Sequence, residues 1–335
     1  MPTPFAPLVA LFLLALAGCA PQVVDAVDRL DSGTESDAGD TGDADSGGPC
    51  PDGGSEMDRD GDSVPDCVDE CPDDPDKIRP GVCGCSLLDP DQVDGGPSCL
   101  DLVAPLRHRY AFDGIGLTVV DSQGAEHGAV HGVELNGTGS LALRGGTSGD
   151  FVDLPNELIS ILPSATLEVW LTWHGGSPWQ RIFDFGDDTT HEEGQRSGGA
   201  SYLFLTPRTP DGDADAPLVL RAVIGRPTQP SGVQELRANA TRALPSGVIA
   251  HVAVTVDTIN GRFSVYIDGE LEAGVDLTSD LSVINDINNW LGQSQFTADP
   301  NLSGTLHEFR IYGAALTAEQ IRLSFQAGPD PAFLR

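Results

Sequence analysis

Hydrophobic and polar residues alternate along much of the chain after residue 102. Residues 167–173 read LEVWLTW and residues 250–257 read AHVAVTVD, so every second side chain is apolar in both. Residues 263–267 (FSVYI) follow Asn260-Gly261, a dipeptide typical of tight hairpin turns. Alternation with a period of two is the pattern of strands, and here it predicts antiparallel hairpins.

Further short runs of this kind lie between residues 140 and 312, separated by Gly, Pro and Asp. One helix is expected near the C-terminus, where Thr317 and Gln320 have the spacing of a capping box. Ile321 and Phe325 would form its apolar edge. Many short strands with turn signals predict an all-β domain over residues 102–335, built as a two-sheet antiparallel sandwich.

The N-terminus carries a different apolar pattern. Residues 8–16 (LVALFLLAL) are too few to span a bilayer, which takes about 20 residues, but suit the core of a signal peptide. The run ends in Leu16-Ala-Gly-Cys19, which resembles the lipobox of bacterial lipoproteins. The resemblance implies removal of residues 1–18 and a lipid on Cys19. The alternative is an ordinary secretory signal with an incidental Cys19, and both predict export.

Charge is concentrated in the segment that follows. The chain has a net charge of −33, and residues 20–101 contain 23 acidic and four basic residues. Residues 19–57 are mostly Asp, Gly, Ser and Thr, and we expect them to form a disordered tether. Such acidity argues against nucleic acid as a partner and leaves cations, neutral sugars and proteins.

Six cysteines remain when Cys19 is set aside, and all lie within fifty residues. They are Cys50, Cys67, Cys71, Cys83, Cys85 and Cys99. In an exported chain, an even and clustered set predicts three disulfides, with 15 possible pairings. A zinc cluster is the alternative, but an oxidising compartment argues against it.

An acidic loop lies among these cysteines. Carboxylates stand at loop positions 1, 3, 5, 9 and 12, with a backbone carbonyl expected at position 7: Asp58, Asp60, Asp62, Asp66, Asp69 and, at position 7, Val64. This oxygen-rich register is what calcium requires. Together with the Pro and Cys residues after it, the loop resembles a thrombospondin type 3 repeat, a calcium-binding family, and we assign the repeat to residues 58–101. The alternative is a solvated acidic linker.

Several phrases of the strand-rich domain are similar to a known superfamily. They are Arg109-Tyr-Ala-Phe-Asp-Gly114, Leu167-Glu-Val-Trp170, His251-Val-Ala-Val-Thr255, Val265-Tyr-Ile-Asp-Gly269 and Gly304-Thr-Leu-His-Glu-Phe-Arg-Ile-Tyr312. In order and spacing they resemble laminin G-like domains of the concanavalin A-like lectin/glucanase superfamily over residues 106–325. The resemblance implies a jelly-roll sandwich with one concave face. It also implies that Asp113 and Asp121 lie where such domains often hold calcium.

This fold serves both binding proteins and enzymes. Glycoside hydrolases on it place paired carboxylates on one strand face, as in E-x-D-x-E, and this chain contains no such motif. Glu168 and Glu308 are single acids on strands. We therefore expect binding without catalysis, with Trp170 and Trp179 as candidates for stacking on a sugar ring.

The sequence thus predicts a lipid-anchored, calcium-stabilised protein of the bacterial cell envelope, at the outer membrane or cell surface. It would bind carbohydrate or an extracellular protein. A structural or adhesive spacer and a divergent glycoside hydrolase are the alternatives. Exposed aromatic side chains on a concave groove would favour sugar binding, a flat or filled concave face would favour the spacer, and two facing acids would favour the hydrolase. His127 and His131 are interpreted as solvated or hydrogen-bonded rather than as a metal pair.

Overall fold

The computed structural model describes residues 50, 57–80, 83–85, 97–188, 199–209, 218–228 and 232–334. The predicted signal peptide, Cys19 and nearly all of the predicted tether lie outside these ranges. No helix within them is long and apolar enough to cross a membrane.

Within these residues the strands form two large sheets, and every strand pair is antiparallel. The seven-stranded sheet contains β1 (Leu106–Tyr110), β6 (Leu141–Gly146), β8 (Ala165–Trp173), β13 (Ile249–Asp257), β14 (Arg262–Ile267), β15 (Glu270–Asp276) and β17 (Asn301–Tyr312). The eight-stranded sheet contains β3 (Thr118–Val119), β4 (Gly128–His131), β7 (Phe151–Leu154), β9 (Phe183–Asp188), β10 (Gly199–Thr209), β11 (Val219–Pro227), β12 (Val233–Asn239) and β16 (Asn288–Leu291). A small third sheet pairs β2 (Ile115–Gly116) with β5 (Leu135–Asn136).

Strand order places distant segments side by side. The seven-stranded sheet runs β1-β17-β8-β13-β14-β15, with β6 also pairing β17, and the eight-stranded sheet runs β12-β11-β10-β9-β16-β7-β4-β3. This architecture confirms the predicted all-β antiparallel jelly-roll sandwich.

The main core lies between the two sheets. Alternation places Leu167 and Val169 of β8 on the inner face of one sheet and Phe183 and Phe185 of β9 on that of the other, all buried. Phe309 of β17 lies 6.0 Å, ring centroid to centroid, from each of these two phenylalanines. Burial of this face is the main source of the domain's stability.

A second apolar layer covers the outer face of the seven-stranded sheet. Helix α2 (Ala318–Ala327) begins at Thr317, whose hydroxyl accepts from the Gln320 N–H while the Gln320 side chain accepts from the Thr317 N–H, as predicted. Ile321 of α2 packs with Leu102 of the short helix α1 (Leu100–Val103). Two 3-10 helices complete the described elements, Leu281–Val283 and Ala332–Leu334. The outer face of this sheet is therefore largely a second core.

The cysteine-rich segment contains neither helix nor strand in residues 57–80. Three disulfides hold it: Cys50–Cys67, Cys71–Cys85 and Cys83–Cys99. The last bridge ends next to α1, and so joins the segment covalently to the sandwich. Lys77, 5% exposed, donates its ammonium to the Gly84 carbonyl at 2.8 Å. Disulfides and backbone contacts thus replace an apolar core here.

Candidate functional site

The outer face of the eight-stranded sheet carries one row of aligned side chains. Register pairs Phe204 of β10 with Asp184 of β9, Asp184 with Trp290 of β16, Trp290 with Asp153 of β7, and Asp153 with Ala129 of β4. Residues opposite each other on neighbouring strands share a face, so aromatic and acidic groups alternate across it.

A strap formed by residues 292–300, between β16 and β17, covers one part of this face. It begins at Gly292, whose φ of 91° suits a residue without a side chain. The Gln295 N–H donates to Asp184 Oδ2 at 3.0 Å, and the Phe296 ring packs edge-on against Tyr202 at 5.7 Å. The region around β9 and β10 is therefore filled by the chain itself.

Arg181 occupies the centre of the covered part and is 1% exposed. Its guanidinium lies 3.9 Å from the Phe204 ring centroid, 3.2 Å from Asp184 Oδ2 and 2.9 Å from Asp299 Oδ2 on the strap. The guanidinium of Arg181 is thus held away from solvent between an aromatic ring face and two carboxylates, an environment that suits arginine.

Burial raises the pKa of Asp184 to about 6, and the attraction of Arg181 offsets only part of that effect. Asp184 Oδ1 is buried and has no hydrogen-bond partner among the described residues. A raised pKa is a property of many general acids. Here the strap separates the group from solvent, so it is not placed to meet a substrate.

The other part of the face, over β4 and β7, is open. The His131 ring stacks on Phe151 with centroids 4.4 Å apart and planes 5° apart, and Phe151 meets Trp290 edge-on at 6.0 Å. His131 is exposed and Phe151 half-buried, whereas Trp290 is buried. The result is an aromatic platform whose outermost ring, that of His131, is exposed to solvent.

A polar pocket of about 270 Å³ lies beside this platform. Its lining residues are Gly146, Thr147, Gly149, Gln293, Thr297, Ala298, Asp299, Pro300 and Asn301. Gly132, which follows His131, lies against Gly149: a Cβ on Gly132 would be 2.7 Å from the Gly149 carbonyl. The turn between β6 and β7 thus forms an edge shared by platform and pocket.

Trp179, one of the two predicted stacking residues, lies beside Arg181 in the segment between β8 and β9. It is half-buried, has a φ of 70°, and its ring centroid is 5.9 Å from the Arg181 guanidinium. Gln180 fixes the segment by accepting from Trp173 Nε1 at 3.2 Å and from the Ser303 N–H at 2.9 Å. Trp173 itself belongs to the main core, as predicted.

Trp170, the other predicted stacking residue, is placed where no sugar reaches it, and that prediction is corrected. It is 2% exposed on the outer face of the seven-stranded sheet. Its ring lies 4.2 Å from the Arg310 guanidinium and 4.5 Å from the His251 ring. Because side chains alternate along β8, the Trp170 side chain points away from the main core. On that side of the sheet the second apolar layer covers it, so it does not reach solvent.

Glu168 and Glu308 come together in that same layer, and both are fully buried. Arg310 lies between them, 3.6 Å from Glu168 Oε2 and 2.5 Å from Glu308 Oε1, and Arg109 adds a two-point contact to Glu308. Burial alone would raise the pKa of Glu168, but the hydrogen bond from His251 and the charge of Arg310 lower it. This charge network is enclosed and has no groove for a glycoside.

The calcium loop brings three of its predicted ligands together. Carboxylate oxygens of Asp58, Asp60 and Asp62 lie within 4.8 Å of one another. Asp58 also accepts from the N–H groups of Gly61 and Ser63 at 2.8 and 3.0 Å, which curls the backbone around the carboxylates. Asp60 Oδ2 is buried without a hydrogen-bond partner among the described residues. An unsatisfied buried oxygen beside two further carboxylates fits a hard cation.

The other predicted ligands are not brought into that group. Asp66 accepts from the Arg59 N–H at 2.9 Å and lies 3.5 Å from its guanidinium. The Val64 N–H donates to Asp62 Oδ1 at 2.7 Å. Asp69 is buried, and its Oδ2 has no partner among the described residues. The geometry thus supports a half-shell of three carboxylates, whereas Asp69 accepts from the Cys71 N–H at 2.7 Å through Oδ1 and leaves only Oδ2 unpaired among the described residues.

Asp121, suggested by resemblance as a calcium position in the sandwich, is held by donors. Its carboxylate shares a hydrogen bond with His108 Nδ1 at 2.8 Å and accepts from the N–H groups of Arg109 and Gln123 at 3.0 and 3.1 Å. Burial would raise the pKa of Asp121, but these bonds lower it to about 2. Asp113 is exposed. Asp121 therefore anchors a turn.

The platform and pocket were not found from the sequence. The sequence favours a solvated or hydrogen-bonded His131 and does not single out Phe151. The available signal was the alternation of residues 151–154, which sets Phe151 and Asp153 on the face opposite Val152 and Leu154. Which face would be open depends on the order β9-β16-β7-β4, and that order joins strands more than 100 residues apart.

Comparisons with known proteins agree with this architecture. A family model described as the concanavalin A-like lectin/glucanases superfamily, of laminin G type, matches residues 145–322. No curated protein matches the chain. Among solved structures, domain 4 of the extracellular arabinanase AbnA from Geobacillus stearothermophilus, in complex with arabinotriose, is 22% identical. The match covers 65% of this chain and 96% of that one, with a TM-score of 0.48.

Two further structures are similar. The CBM40 domain of the Ruminococcus gnavus IT-sialidase, bound to α2,3-sialyllactose, is 17% identical over 55% of this chain and 94% of that one, with a TM-score of 0.42. The Trypanosoma rangeli sialidase is 16% identical over 72% of this chain and 36% of that one, with a TM-score of 0.49. The family match spans more than half of the chain and covers the sandwich from the end of β6 into α2. The chain therefore belongs to the concanavalin A-like lectin/glucanase superfamily.

Proposed function

We propose that the sandwich binds neutral carbohydrate without catalysis, at the aromatic platform and the polar pocket beside it. One observation carries the proposal: the parallel stack of exposed His131 on Phe151, next to a pocket of about 270 Å³ lined by amide, hydroxyl and carboxylate groups. The CH face of a pyranose suits an aromatic plane, and its hydroxyls suit donors and acceptors such as Gln293, Thr297 and Asp299.

A neutral ligand is favoured over an anionic one. The net charge of the chain is −33, and the described residues that line the pocket include no lysine or arginine. The nearby Arg144 is already engaged by Asp150, with Nη2 to Oδ1 at 2.6 Å. A sialylated or sulfated glycan would meet net repulsion here.

The burial of the acids argues for binding rather than hydrolysis. Glycoside cleavage needs two carboxyl groups that reach the same glycosidic bond. Glu168 and Glu308 are enclosed beneath α2, and Asp184 is enclosed beneath the strap.

A structural or adhesive spacer is the second candidate, and one observation favours it. The strap fills the part of the face over β9 and β10, and a filled face offers a protein partner a surface rather than a groove. In this case the sandwich would contact a neighbouring protein of the cell surface.

A glycan array separates the two candidates. The full exported chain is tested in calcium, beside His131→Ala and the matched control His174→Ala, which removes an exposed histidine that directly follows β8 of the other sheet. Loss of one stacking face should weaken binding roughly three- to tenfold in His131→Ala and leave the control unchanged. If the wild-type chain binds no sugar, the carbohydrate proposal fails and the spacer stands.

We further propose that the chain is held at the bacterial cell envelope by a lipid on Cys19, with calcium ordering the repeat. The lipobox-like sequence and the Asp58–Asp60–Asp62 group support these two points. Cells fed a clickable fatty acid should label the wild-type chain and not Cys19→Ser. An unlabelled wild-type chain would overturn the anchor.

A further inference from the structure

Three Asn-x-Ser/Thr triplets occur in the chain: Asn136-Gly-Thr138, Asn239-Ala-Thr241 and Asn301-Leu-Ser303. Such triplets are acceptors for N-linked glycans in exported proteins, provided that the asparagine side chain is accessible. The structure distinguishes clearly among the three.

Two of the asparagines are engaged in strands. Asn239 of β12 accepts from Arg221 Nε at 2.6 Å. Asn301 of β17 is 3% exposed and donates to the Asp150 carbonyl at 3.3 Å. A transferase would have to break strand contacts to reach either side chain.

Asn136 differs in each of these respects. It ends β5, at the edge of the small two-stranded sheet, and residues 136–138 are all exposed. Its Oδ1 accepts from the N–H and the hydroxyl of Thr138, at 3.1 and 2.6 Å. Its Nδ2, the atom that a glycan modifies, makes no hydrogen bond within the described residues. The triplet therefore presents a polarised amide with its nitrogen toward solvent.

The surroundings of Asn136 also suit a bound glycan. Ile115 lies directly opposite it across the strand pair and is 80% exposed, and the nearby Leu117 is also exposed. A sugar chain on Asn136 would cover these apolar side chains, which otherwise face water.

We propose that Asn136 is an N-glycosylation site. The donor is an oligosaccharide on a polyprenyl diphosphate. A bond forms between Asn136 Nδ2 and the anomeric carbon, and the bond from that carbon to the diphosphate oxygen breaks. The diphosphate leaves with the electron pair, and the amide proton passes to a base of the transferase. The modification requires export and is independent of sugar binding by the sandwich.

Mass spectrometry of the tryptic peptide 110–144 tests the proposal. The full chain is exported from cells that contain an oligosaccharyl transferase and its lipid-linked donor. An additional acceptor triplet, placed in a tail after Arg335, is the control. Its glycosylation shows that the chain was exported and that the transferase was active. We expect peptide 110–144 to carry one glycan on Asn136, and the peptides containing Asn239 and Asn301 to carry none.

Variants at exposed positions isolate the chemistry. Asn136→Gln and Thr138→Ala should abolish the modification, and Thr138→Ser should retain it. An unmodified Asn136 beside a modified tail would overturn the proposal. So would a modified Thr138→Ala variant, because the triplet would then not determine the reaction.

Discussion

At the scale of single residues, burial decides what each acid does, and Asp184 is the clearest case. The folded chain raises its pKa to about 6 from a value near 3.8 in the unfolded chain. A carboxyl whose pKa is higher in the folded state stabilises the fold when it is protonated. This contribution is complete below about pH 4 and is lost as the pH rises through about 6.

The variant Asp184→Asn removes this dependence. Between pH 3 and pH 7 the free energy of unfolding of the wild-type chain should fall relative to the variant by about 3 kcal/mol, since the pKa of Asp184 rises from 3.8 to about 6 on folding and one pKa unit corresponds to about 1.4 kcal/mol. Urea unfolding followed by tryptophan fluorescence at several pH values measures it. Asp276→Asn, which alters an exposed acid paired with Arg262, should keep a constant difference from wild type. Parallel wild-type and Asp184→Asn curves would contradict the raised pKa.

At the scale of elements, α2 is joined to the sheet by charge as well as by apolar contact. Arg310 of β17 donates to the Ser324 hydroxyl and to the Gly328 carbonyl, both at 3.0 Å, and the Ser324 hydroxyl donates to Glu168 at 2.8 Å. Breaking one member of such a buried set leaves an uncompensated charge, which costs more than the loss of the contact itself.

Arg310→Met should therefore lower the free energy of unfolding by about 3–5 kcal/mol, measured by urea denaturation. The matched control is Arg322→Met on α2, which removes a surface ion pair with Glu270 and should cost less than about 1 kcal/mol. Equal losses in the two variants would show that burial does not distinguish the two pairs.

At the scale of the whole molecule, the cysteine-rich segment and the sandwich differ in the interactions that stabilise them. The sandwich has two apolar layers, whereas residues 57–80 depend on disulfides, local hydrogen bonds and, in our proposal, calcium. Three carboxylates within 4.8 Å repel one another when no cation lies between them.

Chelation should therefore speed amide hydrogen exchange severalfold in residues 57–80 and leave the exchange of β8 and β13 unchanged. Asp60→Asn should reduce the response to calcium, and Glu70→Gln, in the same segment but outside the group, should retain it. Identical exchange with calcium and with chelator would contradict a role for the ion.

The sequence predicted the sandwich well because alternation reports directly on burial against the other sheet. It also predicted the capping box of α2, a signal contained in four consecutive residues. The open site was harder to predict, since Phe151 meets Trp290 only through strand pairing across about 140 residues. Trp170 was misplaced for a related reason: alternation identifies the face of a side chain but not what covers that face.

One feature of the repeat has a practical consequence for chemical labelling. Lys77 is the only lysine in the sequence, and its ammonium is enclosed against the Gly84 carbonyl. Amine-directed cross-linkers and dyes therefore find no lysine on the surface of the sandwich. The same scarcity makes acylation of Lys77 a site-specific reporter, because reagent reaches that nitrogen only when the disulfide-bonded segment opens.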